Sequence, residues 1–158
     1  MAKPAGEAFF LDVNVPMYAA GGNHRYKEPC AWIMTAIAEN RLQAVIDAEI
    51  VQEILYRFGA QRRWDIGTSM AESLLDIVEK VLPVTREDVT LATTLFAEHG
   101  PHGVSARDAL HVAVMTNHGL TKILTVDADF ARFSGIERVD PLLLYGDRDK
   151  SGPRNANQ

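Results

Sequence analysis

Cysteine is almost missing from this chain. Cys30 stands alone among 158 residues, which excludes an internal disulfide framework and a cysteine-rich zinc site. In its helical, apolar surroundings it reads as a small buried hydrophobe rather than a nucleophile. Long apolar runs are missing too. None approaches the roughly 20 residues that span a bilayer, and the start, MAKPAGEAFF, lacks the apolar core and small-residue cleavage site of a secretion signal. Both absences point to a cytoplasmic chain with no membrane segment. The third absence is an excess of positive charge. Sixteen Lys and Arg face 21 Asp and Glu, for a net charge of -5, whereas a chain that grips phosphates is expected to be basic. Either the partner is not a polyanion, or bound metal ions offset part of the negative charge.

What is present is ordinary in amount: 47% hydrophobic and 23% charged residues, in a length that suits one domain with a full core. Residues 1–7 and 146–158 are polar and rich in Gly, Pro and Asn, and are expected to be flexible ends around one folded domain over 8–145. Inside it, short apolar runs alternate with helical patterns. Strands are expected at Ala8–Leu11, Gln43–Ile46, Leu82–Val84, Lys122–Thr125 and Glu137–Val139. Helices are expected from Pro16 to Gly21, and over Glu28–Asn40, Ala48–Phe58, Asp65–Lys80, Arg86–His99 and Ser105–His118. This alternation predicts an α/β fold with a parallel sheet covered on both faces. Sites in such sheets lie beyond the carboxyl ends of the strands, near a switch in strand order.

Four segments bring an acid to a place where its neighbours are apolar. Asp12 ends the first strand, in FFLDVNV. Glu53 lies within VQEIL. Asp108 opens SARDALHVAV, a helix otherwise bound for the interior. Asp127 follows a late strand in ILTVDADF, with Asp129 two residues on. Crowded carboxylates raise one another's pKa unless a counter-charge is present. An all-oxygen cluster suits a hard divalent cation, Mg²⁺ or Mn²⁺, better than zinc. Each acid also has an ordinary role open to it. Ser105-x-x-Asp108 matches a capping box, Asp127 can cap a short helix, Asp12 can be a turn residue, and Glu53 can pair with Arg57 on a solvated face.

The order of these motifs, from about Phe9 to about Pro141, resembles the PIN domain and, within it, the VapC-like ribonuclease toxins of prokaryotic toxin–antitoxin pairs. The run from Asp-Ala-Leu-His through a Gly-terminated helix to Thr-x-Asp-x-Asp-Phe is its most specific part. The resemblance implies a three-layer α/β/α fold and a metal-dependent endoribonuclease. It implies Asp12, Glu53, Asp108 and Asp127 as catalytic, metal-binding acids, with Asp129 auxiliary and Asn14 and Thr125 as supporting polar residues. It also implies a homodimer and a VapB-like antitoxin that blocks the site. His111, one turn beyond Asp108, is a candidate to orient that acid or touch RNA, against the commoner role of a satisfied core histidine. Two basic-aromatic groups are candidates for RNA contact: Arg57, Arg62, Arg63 and Trp64, and His24, Arg25, Tyr26 and Lys27. The same residues would serve a PIN nuclease of RNA maturation that has no antitoxin. A non-catalytic RNA- or protein-binding module is a further alternative, which the complete acidic set argues against.

Overall fold

The computed structural model describes residues 7–150. Five short strands form one sheet: β1 (Phe9–Leu11), β2 (Ala44–Asp47), β3 (Lys80–Leu82), β4 (Lys122–Leu124) and β5 (Glu137–Val139). All neighbours pair in parallel, in the order β3-β2-β1-β4-β5. The helices are α1 (Asn14–Ala20), α2 (Lys27–Ala38), α3 (Ala48–Ala60), α4 (Trp64–Ile77), α5 (Arg86–His99), α6 (Ala106–Asn117) and α7 (Pro141–Gly146). They flank the sheet as the outer layers of an α/β/α sandwich. Covering on both faces explains why the central strands read as unbroken apolar runs. Phe10, Leu11, Ile46, Ile123 and Leu124 are fully buried and meet Ile33, Ile37, Ile50, Ile54, Leu74, Val112 and Met115 of the helices. Cys30 joins this core, and burial pushes its thiol pKa up to about 12, as befits an inert hydrophobe.

Element bounds mostly follow the sequence expectation, with one clear displacement. The helix expected over Asp65–Lys80 stops at Ile77, and the strand expected at Leu82–Val84 runs over Lys80–Leu82 instead. Val78 turns extended, and the Glu79 amide already donates to Ala44 of the neighbouring strand. Pro83 has no amide to continue the ladder, so β3 ends before it. The last helix, α7, was not expected. Asp140 caps it and Pro141 opens it. Residues 1–6 and 151–158 of the two expected tails lie outside the described residues. Within the rest of the C-terminal tail, residues 147–150 form turns, with the Arg148 guanidinium 3.7 Å above the Tyr145 ring and Lys150 paired to Asp147.

The chain leaves β1 for β2 and β3 on one side and returns to β4 and β5 on the other. The order therefore reverses between β1 and β4. Their carboxyl ends are where a cleft opens in such folds.

Candidate functional site

Asp12 follows β1 at this switch point. It is 5% exposed, and its neighbours hold it closely. One oxygen accepts from the Val13 amide at 2.8 Å. The other accepts from the Thr125 hydroxyl at 2.7 Å and the Asn14 amide at 3.2 Å. Asn14 also donates to Thr125 at 3.0 Å and accepts from the Val126 amide. Thr125 in turn accepts from the Asp127 amide at 3.0 Å. Asn14 and Thr125 thus knit the end of β1 to the loop after β4. Burial nevertheless raises the Asp12 pKa, and Glu53 adds to this, while His111 and the hydrogen bonds oppose it.

Asp108 sits in the first turn of α6. Ser105 caps this helix by accepting from the Asp108 amide at 3.1 Å. The reciprocal bond of a capping box is made in α5, between Thr85 and Asp88, but not in α6. The Asp108 carboxylate makes no reciprocal bond to the Ser105 backbone, although the Ser105 hydroxyl lies close enough to favour its charged form. Burial, then Asp12, then Asp127 push its pKa up to about 6, against the pull of His111. Among the described residues no Lys or Arg pairs with Asp12 or Asp108. Asp127 caps the short 3₁₀ turn Ala128–Arg132, accepting from the Asp129 amide at 2.9 Å. Its expected capping role is real, and its charge still reaches Asp108. Asp129 is exposed and lies 3.5 Å from Arg132.

Glu53 meets its local expectation only in part. It does pair with Arg57, at 2.7 and 3.1 Å, but it is buried at 3% exposure rather than on a solvated face. A second guanidinium, Arg107, reaches the same oxygen at 2.9 Å from α6 and lies 3.6 Å from Glu49. Arg107 was not anticipated. It precedes Asp108 directly, but its partners are more than fifty residues away, and no local spacing announces them.

Beneath the acids lies a second pair the sequence did not disclose. The Nδ1–H of His111 meets Asp47 Oδ2 at 2.6 Å, with both side chains fully buried. Asp47 Oδ1 also caps α3 by accepting from the Ile50 amide. Nε2 of His111 is buried with no partner among the described residues. Burial disfavours a charged imidazole here. The Asp47 bond and charge, with Asp12 and Asp108 behind them, outweigh it and raise the His111 pKa. Arg138 is a further unexpected contributor. It donates to the carbonyls of Thr125 and Val126 at 3.1 and 2.7 Å and so fixes the loop before Asp127.

The basic-aromatic candidates divide. Arg57 belongs to the site through Glu53. Arg62, Arg63 and Trp64 occupy the α3–α4 connection, where Trp64 is 64% exposed and Arg63 lies over Phe58. In the other group Tyr26 is no open stacking platform. It is buried, its hydroxyl donates to Asp140, and Arg25 lies over its ring. Lys27 holds the Gly21 carbonyl.

Among the described residues no three His, Cys, Asp or Glu side chains stand in a closed ligand arrangement. Glu53 is turned to its arginines, and Asp127 spends an oxygen on its own turn. The donor chemistry nonetheless fits a hard divalent ion. Asp12 and Asp127 are close enough for their charges to act on Asp108, and the three offer only oxygen and have no Lys or Arg partner among the described residues.

A parallel α/β/α sheet with carboxylates gathered at the β1–β4 edge is the architecture of a PIN domain, and the PIN domain family model matches residues 9–136. The chain belongs to this family, within the group of VapC proteins. Ribonuclease VapC13 of Mycobacterium tuberculosis is 33% identical over 129 residues, covering 82% of this chain and 97% of that one. Two solved structures share the fold. VapBC2 from Rickettsia felis, bound to a DNA fragment from its promoter, superposes with a TM-score of 0.66 at 15% identity, over 84% of this chain and 98% of that one. Mycobacterium tuberculosis VapC20, described as a toxin cleaving the sarcin-ricin loop, does so with 0.66 at 17% identity, over 78% and 93%.

Proposed function

We propose that this chain is an endoribonuclease that depends on Mg²⁺ or Mn²⁺ and serves as the toxin of a VapBC-type pair. The observation that carries the reading is the state of Asp108. It is a half-buried carboxylate beside Asp12 and Asp127, with no Lys or Arg partner among the described residues and no reciprocal capping-box bond. Asp12, Asp108 and Asp127 would hold the ion, and Glu53 would join them when released from its arginines. Bound there, a hard divalent ion supplies Lewis-acid chemistry for hydrolysing a phosphodiester. The chain's own groups set the stage. Thr125 and Asn14 aim Asp12, Arg138 shapes the loop of Asp127, and Arg57 and Arg107 hold the Glu53 carboxylate in place. The relatives named as ribonucleases support RNA as the substrate.

An antitoxin partner is part of the same proposal, supported by the VapBC complexes that share the fold. A mainly apolar groove of about 460 Å³, with Ala20, Ala31, Met34, Ile66 and Met70 in its walls, suits an apolar segment of such a partner. A homodimer would cover part of the apolar surface left open at Leu75, Val89 and Phe96. Among the described residues no helix is long and apolar enough to cross a membrane, and we place the activity in the cytoplasm.

The test is cleavage of a mixed structured RNA pool by the purified chain with Mg²⁺, Mn²⁺ or EDTA, beside Asp12→Asn. Metal-dependent cutting that disappears in Asp12→Asn is the expected result. Cutting that survives EDTA, or survives the substitution, would sink the proposal.

A further inference from the structure

Next to the acids lies a cavity of about 440 Å³ that the proposed chemistry does not use. Its size is within the range of small-ligand sites. Asn14 and Tyr18 of α1, Gly22, Asn23 and His24 of the following loop, and Arg57 of α3 contribute to its walls. It is continuous with the acidic edge, because two of these residues belong to both. Asn14 donates to Asp12 and Thr125, and Arg57 donates to Glu53.

The wall chemistry indicates the occupant. The Tyr18 and His24 rings lie 4.7 Å apart at 31°. Tyr26 stands behind them, 5.6 Å from Tyr18 and 5.9 Å from His24. Tyr26 is anchored in the core and by its hydroxyl bond to Asp140. His24 Nδ1 accepts from the Tyr26 amide at 3.2 Å, and Lys27 ties down the Gly21 carbonyl. The result is a fixed aromatic stack, with Tyr18 and exposed His24 lining the cavity. A planar base extends such a stack whatever its identity. Asn23, exposed in the loop, has both a donor and an acceptor for a base edge. Arg57 spends Nε and Nη2 on Glu53 and, half exposed, keeps Nη1 for another acceptor.

We propose that this cavity is a nucleobase subsite. The base of an unpaired nucleotide next to the scissile phosphate stacks on Tyr18 and His24, while a flanking phosphate meets Arg57. Double-stranded RNA cannot use it, since the base must be splayed from its partner. The subsite would bias cutting toward loops and single strands. This inference rests on the ribonuclease reading above.

The test uses the full chain and a single-stranded oligouridylate carrying one 2-aminopurine, moved stepwise along the strand, in EDTA so that nothing is cut. Stacking on the rings quenches 2-aminopurine fluorescence. At one position the wild type and Tyr18→Phe should quench it. His24→Ala and Tyr18→Leu should lose the quenching and bind about tenfold more weakly. Because His24 is exposed, His24→Ala carries the test alone if Tyr18→Leu fails to fold. Equal quenching by the wild type and His24→Ala overturns the subsite. So does an absence of quenching at every position in a chain that cleaves RNA, and in both cases the ribonuclease reading stands. Failure to cleave RNA with any metal removes that reading, and the subsite with it.

Discussion

Asp108 holds its proton more tightly in the fold than in the unfolded chain. Its pKa rises from 3.8 to about 6, through burial first and then the charges of Asp12 and Asp127. The sign of the linkage follows. Between these two values the native state binds more protons than the unfolded state, so stability falls as pH climbs from about 4 to about 6. Above that range the metal-free protein carries the full penalty. Asp108→Asn should remove it. In EDTA at neutral pH this variant is expected to be more stable than wild type by on the order of 1–2 kcal/mol, and its stability should change less between pH 4 and 6. Urea unfolding across that range measures both. A variant less stable than wild type would mean that the carboxylate is structural. The same residue sets a limit at acid pH, where Mn²⁺ affinity should weaken as pH drops below about 6.

Two pairs tie α6 to the β2–α3 segment, Arg107 with Glu53 and His111 with Asp47, and both escaped the sequence reading. Apolar runs such as Phe9–Leu11 and Lys122–Leu124 and the Thr85-x-x-Asp88 box declare themselves within a few residues. So do Asp12 and Asp127, because a strand end fixes where the next residue points. A pair separated by 54 or 64 positions leaves no such trace. His111 could be singled out, but its partner could not, because Asp47 lies between the expected strand Gln43–Ile46 and the expected helix Ala48–Phe58 with no local feature that marks it. The pair can be dissected because Asp47 does two things. Asp47→Ser keeps an oxygen to cap α3 but strands His111, and should cost about 3 kcal/mol. Asp47→Ala loses the cap too and should cost about 1 kcal/mol more. Denaturant midpoints separate the two. The pair's charged form contributes fully below the ordinary His pKa of 6.5 and fades as pH rises through the higher folded value. The Asp47→Ser deficit should therefore be largest at low pH. A deficit independent of pH would assign the bond to neutral imidazole.

On the scale of the whole molecule the puzzle is charge: a chain of net -5 is proposed to cut a polyanion. Of the acids assigned to the site, Glu53 is paired with Arg57 and Arg107, and Asp129 lies by Arg132. Asp12, Asp108 and Asp127 have no Lys or Arg partner among the described residues, so part of the excess is concentrated at this edge. One edge of the sheet is built to be incomplete, and folding carries the strain of it in the raised pKa values of Asp12 and Asp108. A ligand that binds only the folded state returns that energy by mass action, about 2.7 kcal/mol at a concentration 100 times its Kd. For a domain of this size the melting temperature should rise by about 5–10 °C. The expected outcome is that Mn²⁺ or Mg²⁺ stabilises the wild-type chain to this extent and Ca²⁺ less, since the oxygen set is small and rigidly held by Thr125 and Asn14. Asp12→Asn should abolish the shift while still melting cooperatively without metal. A shift of equal size in Asp12→Asn would place the ions elsewhere on an acidic surface, and the incompleteness of this edge would then need another partner to resolve it.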